Sequence, residues 1–335
     1  MSTLPLRCFL LWLACCTALI TSGVANAAAP PVGPIEVPPP VLSGFELLRN
    51  GHYSKALEVA NHLAGEFPAH PLPPLLEAQA HFDLIFCQTG HITSKEFWHF
   101  SKTPDSPLNQ PFARAVDKVF EFSAQMKRSP ATSAEALFYE GTAHGFRARL
   151  HTLREQTLPS GREGKQMREA LLKAVALDPT LAHDAGVGLG IYDYYADSLS
   201  PLIKLFRFFL FIPGGNMERG IAQLHAAADT RNLFSPEARW ELARIIGVRE
   251  GRHEEAVKLL VPLVHAYPDN ALFALLTALE AEAMGDLGQA HAYAQRAVDA
   301  TARMDPSCRP KLDPATQQVL ERIVAELAAA RIQQP

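Results

Sequence analysis

The hydrophobic and polar positions of this chain repeat with a helical period over most of its length. Apolar residues recur three and four positions apart, which is the spacing of one face of an α-helix. From residue 41 onward the pattern predicts an all-α fold. Outside the repeats described below, it predicts helices at 75–86, 111–127, 132–158, 167–177 and 313–332.

The segment 201–212 is the most apolar part of this pattern. Its only polar positions are Lys204 and Arg207, three residues apart and therefore neighbours on a helix. At about 1.5 Å per residue the helix would reach roughly 18 Å, too short for a hydrocarbon core of about 30 Å. It could be buried on the protein itself, bind a partner protein, or lie on a membrane surface. We predict the first, with 198–213 inserted into the fold.

Three stretches of the chain share one spacing of a glycine, an alanine and, in two of them, a proline. The third begins 34 residues after the second. A glycine ends a helix in a conformation that a side chain resists, an alanine allows close helix approach, and a proline ends the next helix. The residues that define the pattern are Gly51, Tyr53, Ala56 and Pro68, then Gly251, Ala256 and Pro268, then Gly285 and Ala290.

With this period the chain resembles the tetratricopeptide repeat (TPR) family, whose unit is a helical hairpin of about 34 residues. Trp240 matches the aromatic residue that this family has near the start of its first helix. Gly215 and Gly220 repeat part of the spacing, so 184–220 looks like one unit that contains the insertion. The resemblance implies a solenoid of helical hairpins whose concave face receives a peptide or a partner domain.

Residues 1–27 have the pattern of an export signal. A basic residue precedes an apolar run, and the small residues Ala25 and Ala27 form a cleavage site. We therefore predict cleavage near Ala27 and a periplasmic or envelope-associated bacterial protein. A lipid anchor on Cys15 or Cys16 is the alternative interpretation.

The rest of the chain divides into a linker, a repeat array and a cap. The proline-rich residues 28–40 are typical of an extended spacer. The TPR-like array is predicted at 41–312, with an irregular stretch at 88–109 that we expect to be an exposed loop. Residues 313–335 are predicted to form a capping helix.

The cysteines and the net charge restrict the possible partners. Of five cysteines, only Cys87 and Cys308 lie beyond the predicted signal. Because they lie near opposite ends of what would be an elongated array, we predict two separate thiols. The formal net charge of −4 argues against a nucleic-acid partner.

The histidines and cysteines show no metal-binding motif. Cys87 and His91 are four residues apart, with His81 and His99 nearby, but Gly90 interrupts this stretch and neither HExxH nor paired CxxC occurs. We therefore predict no metal site and no cofactor.

Two other patterns have plain structural interpretations. Gly186, Gly188 and Gly190 form a GxGxG run without the βαβ context of a nucleotide site, which indicates close helix packing. His253 occupies a position where the TPR family has an aromatic residue, so we expect it to be packed rather than catalytic. No catalytic residue is predicted.

A cluster of tyrosines and aspartates precedes the apolar segment. Tyrosine combines apolar area with a hydroxyl group, which suits a recognition surface. Alternatively, the tyrosines pack the inserted helix and the aspartates are solvated. Together with the two basic residues of the apolar segment, the candidate binding residues are Tyr192, Asp193, Tyr195, Asp197, Lys204 and Arg207.

These patterns favour a non-catalytic protein-binding scaffold of the bacterial cell envelope. The alternative is a carrier of a small ligand or lipid, or a protein in peripheral contact with a membrane, that uses 201–212 and the tyrosines. A closed pocket of several hundred Å³ beside the tyrosines would favour the carrier. An enzyme would instead require a cleft of polar groups with perturbed pKa values. The oligomeric state does not follow from the sequence.

Overall fold

The computed structural model describes residues 35–87, 106–199 and 212–308, together with residues 321, 322 and 325. Within these ranges it contains twelve α-helices and no strand, which confirms the all-α class. Several predictions lie wholly or largely outside the described residues. They are the export signal and its cysteines, most of the linker, the loop with His91 and His99, the apolar segment with Lys204 and Arg207, and the C-terminal cap.

The helices follow one another along the chain, most of them after short connections. In order, they are α1 (Pro39–Arg49), α2 (Tyr53–Glu66), α3 (Leu72–Cys87), α4 (Asn109–Met126), α5 (Ser133–Leu153), α6 (Thr157–Leu177), α7 (Ala182–Ser198), α8 (Met217–Asp229), α9 (Ser235–Ala243), α10 (His253–Ala266), α11 (Ala271–Ala283) and α12 (Leu287–Thr301). A π-helical segment, Arg244–Arg249, continues α9.

Each helix packs against the next one in the sequence where both are described. In addition, α1 touches α3, α3 touches α5, α5 touches α7 and α7 touches α9. The odd-numbered helices from α1 to α9 therefore adjoin one another. We call the surface that they share the inner face.

The repeat glycines occupy turns that a side chain would strain. Gly51, Gly251 and Gly285 have φ values of 79°, 72° and 83° and follow α1, the π-helical segment and α11. This confirms the role predicted for them, because residues with a Cβ avoid this left-handed region. Gly215 has a different role. A Cβ there would lie only 2.1 Å from the backbone oxygen of Asp193, so glycine is needed for close approach.

The other repeat residues are packed as their spacing predicted. Ala56, Ala256 and Ala290 are fully buried. The Trp240 ring packs on that of Phe273, with ring centroids 5.2 Å apart. Tyr53 is also buried, and α2 and α10 end two residues before Pro68 and Pro268.

The first helix contacts the last third of the chain. Phe45 packs edge-on against Phe234, with ring centroids 6.0 Å apart. The side chain of Asn270 donates to the backbone oxygen of Arg49 at 2.8 Å. The backbone N–H of Asp305 donates to the oxygen of Gly51 at 3.0 Å. The two ends of the array therefore meet, and we call these interactions the closing contacts.

The prediction of two separate thiols is wrong. Cys87, at the end of α3, and Cys308, after α12, form a disulfide whose Cα atoms are 5.4 Å apart. The prediction assumed that these residues lay at distant ends of an elongated array. The closing contacts bring these ends together, so residues 221 positions apart become neighbours.

Some helix boundaries also differ from the hydrophobic pattern. The helix predicted at 132–158 is interrupted after Leu153, and α6 begins at Thr157. Glu155 adopts a φ of 57° in this turn, where the sequence has neither glycine nor proline to indicate a break. Helix α1 begins at Pro39, within the predicted linker, because proline is tolerated in the first helical turn.

Candidate ligand-binding cavity

A cavity of about 700 Å³ lies between α5, α6 and α7, with residues of α3 and α9 at one end. Its walls are mainly apolar and aromatic. They include Phe138, Phe146, Met167, Leu171, Val187 and Tyr192. The volume is in the range of sites that hold small organic ligands, about 300 to 1,000 Å³.

Small residues leave room for this cavity and bring its walls together. Gly145, Gly161 and Gly164 line it on α5 and α6, where larger side chains would occupy the space. On α7, a Cβ at Gly188 would lie 2.6 Å from the Leu171 side chain, and one at Gly190 would lie 2.8 Å from the backbone oxygen of Gly220. The close packing predicted for the GxGxG run is therefore confirmed.

The two candidate tyrosines both line the cavity. Tyr192 is buried, and its hydroxyl donates to the backbone oxygen of Pro213 at 2.7 Å. Tyr195 lies one turn further along α7, with the Arg249 guanidinium 5.4 Å from its ring centroid. Their aromatic area therefore contributes to an internal surface.

The two candidate aspartates instead hold α7 to the start of α8. Asp193 is buried and accepts from Arg219 Nε at 2.5 Å and from Nη2 at 2.8 Å. Asp197 accepts from the backbone N–H of Met217 at 3.2 Å. The alternative of solvated aspartates is wrong for Asp193, and neither aspartate belongs to the cavity wall.

The inner end of the cavity is polar and acidic. Gln79, Glu237 and Glu241 line it, and Gln79 Nε2 donates to Glu237 at 3.3 Å. Glu241 is buried, with Arg244 Nη1 at 3.3 Å and Arg149 Nη2 at 3.7 Å. These carboxylates therefore have cationic partners already within the protein.

Asp184 is the exception among the buried carboxylates of the cavity. It is 3% exposed and lines the wall near Phe234. Neither carboxyl oxygen has a hydrogen-bond partner. Burial raises the pKa of Asp184 to about 6. The backbone N–H groups of Leu233 and of Asp184 itself offset only part of this rise, because they lie outside hydrogen-bonding geometry.

A second perturbed carboxyl lies close to the inner end. Burial raises the pKa of Asp83 to about 7, and the negative charges of Glu237 and Glu241 add to this effect, whereas Arg149 opposes it. The Asp83 side chain is half-buried, and the protein atoms packed around it replace enough water to disfavour its charged form. Acidic groups are therefore concentrated at this end of the inner face.

The cavity reaches the protein surface at the turn between α5 and α6. Glu155, Thr157 and Leu158 line it there and are themselves exposed. The Leu158 side chain is 40% exposed.

Most of the residues that form this site do not follow from the sequence pattern. Tyr192 and Tyr195 were predicted to bind, whereas Gln79, Arg149 and Asp184 were not. They come from α3, α5 and α7, and only the packing of the odd-numbered helices brings them together. A signal for Asp184 was present in the sequence, since it is an acidic residue in an otherwise apolar, glycine-rich helix.

Other classes of site are not found in the part of the chain that the structure describes. There, no group of three or more His, Cys, Asp or Glu side chains is arranged to hold a metal ion. No helix of that part has the length and the apolar character needed to span a membrane.

Comparison with protein-family models finds no matching family, and comparison with curated proteins finds no match.

Proposed function

We propose that this chain is a non-catalytic binding protein with a TPR-like solenoid of helical hairpins, and that the cavity between α5, α6 and α7 holds a small amphipathic ligand. The observation that carries the proposal is the cavity of about 700 Å³ with aromatic and aliphatic walls and a polar inner end. Such a combination of apolar area and few polar groups is typical of small-molecule sites.

The TPR-like arrangement is supported by the succession of helical pairs and by the repeat residues. Three turns have a glycine at positive φ, and the alanines five residues after these glycines are fully buried. In such an array the first helices of the pairs share one face, as the odd-numbered helices do here. The closing contacts, which join the two ends of the array, limit the space in front of this face. A small ligand would therefore fit there better than a folded domain.

A titration with the neutral fluorescent probe N-phenyl-1-naphthylamine tests whether the cavity binds apolar molecules. Ala148 lines the cavity, and Ala148→Phe would fill part of it. We expect saturable binding to the wild type and at least tenfold weaker binding to this variant, because the added ring occupies the same volume. Ala226→Phe, at an exposed site on α8, is the matched control.

The folding of each variant is checked by its thermal midpoint. Val187→Phe, on the opposite wall, replaces Ala148→Phe if that variant does not fold. Binding that is absent in the wild type, or that survives both cavity-filling substitutions, would contradict the proposal.

A scaffold for a peptide or protein partner is the second candidate. It is supported by the concave face that the TPR resemblance implies and by the adjoining odd-numbered helices. Crosslinking in intact cells, followed by identification of the attached molecule, distinguishes a protein partner from a small ligand.

The proposed location is the bacterial cell envelope, reached by export and cleavage near Ala27. The disulfide between Cys87 and Cys308 supports this proposal, because disulfides persist mainly in oxidising compartments. Mass spectrometry of the protein from its native host would show a chain that begins near Ala28. An acylated Cys15 or Cys16 would instead indicate a lipoprotein. Peripheral membrane contact by 201–212 remains a prediction.

A further inference from the structure

The cavity wall contains buried hydrogen-bond acceptors that the protein does not satisfy. Both carboxyl oxygens of Asp184 and Oε1 of Gln79 are buried without a hydrogen-bond partner. Asp184 is 3% exposed and Gln79 is 4% exposed, and both residues line the cavity. Buried acceptors without donors destabilise the protein, because they lose their hydrogen bonds to water without replacement. A ligand that donates hydrogen bonds would remove this cost.

Three arginines among the described residues near Glu237 and Glu241 already have acidic partners. Arg49 pairs with Glu237, with its Nε 3.0 Å from Oε1. Arg149 and Arg244 both face Glu241. Within the described residues no Lys, Arg or His forms an ion pair with Asp184. The carboxylate of Asp184 therefore carries a charge that no ion pair among the described residues neutralises, and this charge disfavours an anionic group beside it.

Aromatic rings surround the same space. Phe138, Phe146 and Phe234 line the cavity together with Tyr192 and Tyr195. The face of an aromatic ring attracts a cation that lies within about 6 Å of the ring centroid. A cationic group on an apolar body would therefore be favoured both by the buried carboxylate and by the walls.

From these contacts we propose that the cavity selects an amphiphile with a protonated amine, whose ammonium group donates to Asp184 and Gln79 while its apolar body lies between α5, α6 and α7. This inference rests on the proposed function, because it concerns the same cavity. It adds the charge and the hydrogen-bonding character of the ligand.

Asp184 also has a structural role that must be separated from binding. It lies in the first turn of α7, where a negative charge interacts favourably with the helix dipole. Loss of that interaction changes the stability of the protein, but it does not change a preference among ligands. The test therefore compares ligands that differ only in their head group.

Isothermal titration calorimetry at pH 7.5 with n-decylamine, 1-decanol and n-decanoate makes this comparison, with the amine and the carboxylate below their micelle concentrations and the alcohol below its solubility limit. We expect the wild type to bind the amine at least about tenfold more tightly than the alcohol, since charge-assisted hydrogen bonds contribute more than neutral ones. Decanoate should bind most weakly. In Asp184→Asn the ratio of amine to alcohol affinity should fall close to one.

Asp229→Asn is the matched control, because it removes the same charge from an exposed position on α8. It should keep the wild-type preference. Equal affinities for the three probes, a preference for decanoate, or an unchanged ratio in Asp184→Asn would overturn the inference and leave the proposed function intact. If none of the three probes binds and N-phenyl-1-naphthylamine does not bind either, the proposed function itself is wrong.

Discussion

Arg49 and Glu237, 188 positions apart in the sequence, form a bidentate salt bridge. Arg49 Nε donates to Oε1 at 3.0 Å and Nη2 to Oε2 at 3.1 Å. Burial alone would lower the pKa of Arg49, but the carboxylates of Glu237 and Glu46 raise it, so the guanidinium stays charged. Because Glu237 also lines the cavity, this contact between the first helix and α9 forms part of the cavity wall.

Replacing one residue of this pair should destabilise the protein more than replacing both. Arg49 is 5% exposed, so Arg49→Met would leave Glu237 without its main counter-charge. We expect a loss of about 2 to 4 kcal/mol in the free energy of unfolding, and a smaller loss in the double variant Arg49→Met with Glu237→Leu. Urea unfolding of the wild type, both single variants and the double variant measures the coupling energy. Strictly additive losses would mean that the pair does not act as a unit.

The disulfide should contribute to stability by restricting the unfolded chain. Replacing Cys87 and Cys308 by serine should lower the free energy of unfolding by about 2 to 5 kcal/mol, because the bond closes a long loop. The thermal midpoint of the oxidised wild type should fall in a reducing agent, whereas that of the double serine variant should not move. A reductant-insensitive wild type that yields two free thiols would show that the bond does not form.

Two glycine substitutions should change stability in opposite directions. A Cβ at Gly164, inside α6, would make ordinary contact with Tyr192 at 3.5 Å. Gly164→Ala should therefore stabilise the protein by about 0.5 to 1 kcal/mol through the helix backbone. A Cβ at Gly220 would lie 2.7 Å from backbone atoms of Gly190 and Tyr194, so Gly220→Ala should cost about 1 to 3 kcal/mol.

Thermal unfolding of both alanine variants provides the measurement. Both substitutions add one methyl group within a helix, so the comparison reports how much more closely α7 approaches α8 at Gly220 than it approaches α6 at Gly164. A Gly220→Ala variant as stable as Gly164→Ala would show that α7 and α8 do not approach each other as closely as described.

Local features of the fold could be read from the sequence, but long-range ones could not. The positive φ of Gly251 and the burial of Ala256 follow from the repeat spacing, because each depends on neighbours within one helical pair. The pairing of Cys87 with Cys308 depends on the accumulated rotation of all the intervening helices. The hydrophobic periodicity of the sequence does not indicate this accumulated rotation. The sequence therefore predicts an elongated array, in which the two cysteines would lie far apart.

The candidate site was predictable only in part for the same reason. Tyr192 and Tyr195 stand out as a cluster within one helix, and both line the cavity. Asp193 lies in the same cluster, but it pairs with Arg219 of α8 and does not line the cavity. The unpaired state of Asp184 depends on the absence of a partner from other helices, which a sequence cannot show.

The buried carboxyl of Asp184 should make stability depend on pH. Its pKa is raised to about 6 in the folded protein, so the folded state holds a proton that the unfolded state releases near pH 4. This contribution is present below pH 4 and is lost as pH rises through 6. Relative to Asp184→Asn, the wild type should therefore lose on the order of 2 kcal/mol between pH 4 and 7. Urea unfolding at intervals of one pH unit measures the difference, and a constant difference would contradict the assignment.

A crystal structure of the protein grown with n-decylamine tests the central claim most directly. The account predicts electron density for one molecule between α5, α6 and α7, with its nitrogen within hydrogen-bonding distance of Asp184 and its alkyl chain against Phe138 and Tyr192. Density at the same place without the nitrogen at Asp184 would keep the cavity as the binding site and exclude the amine preference. A cavity filled by the protein's own side chains, with no amine in it, would contradict the account.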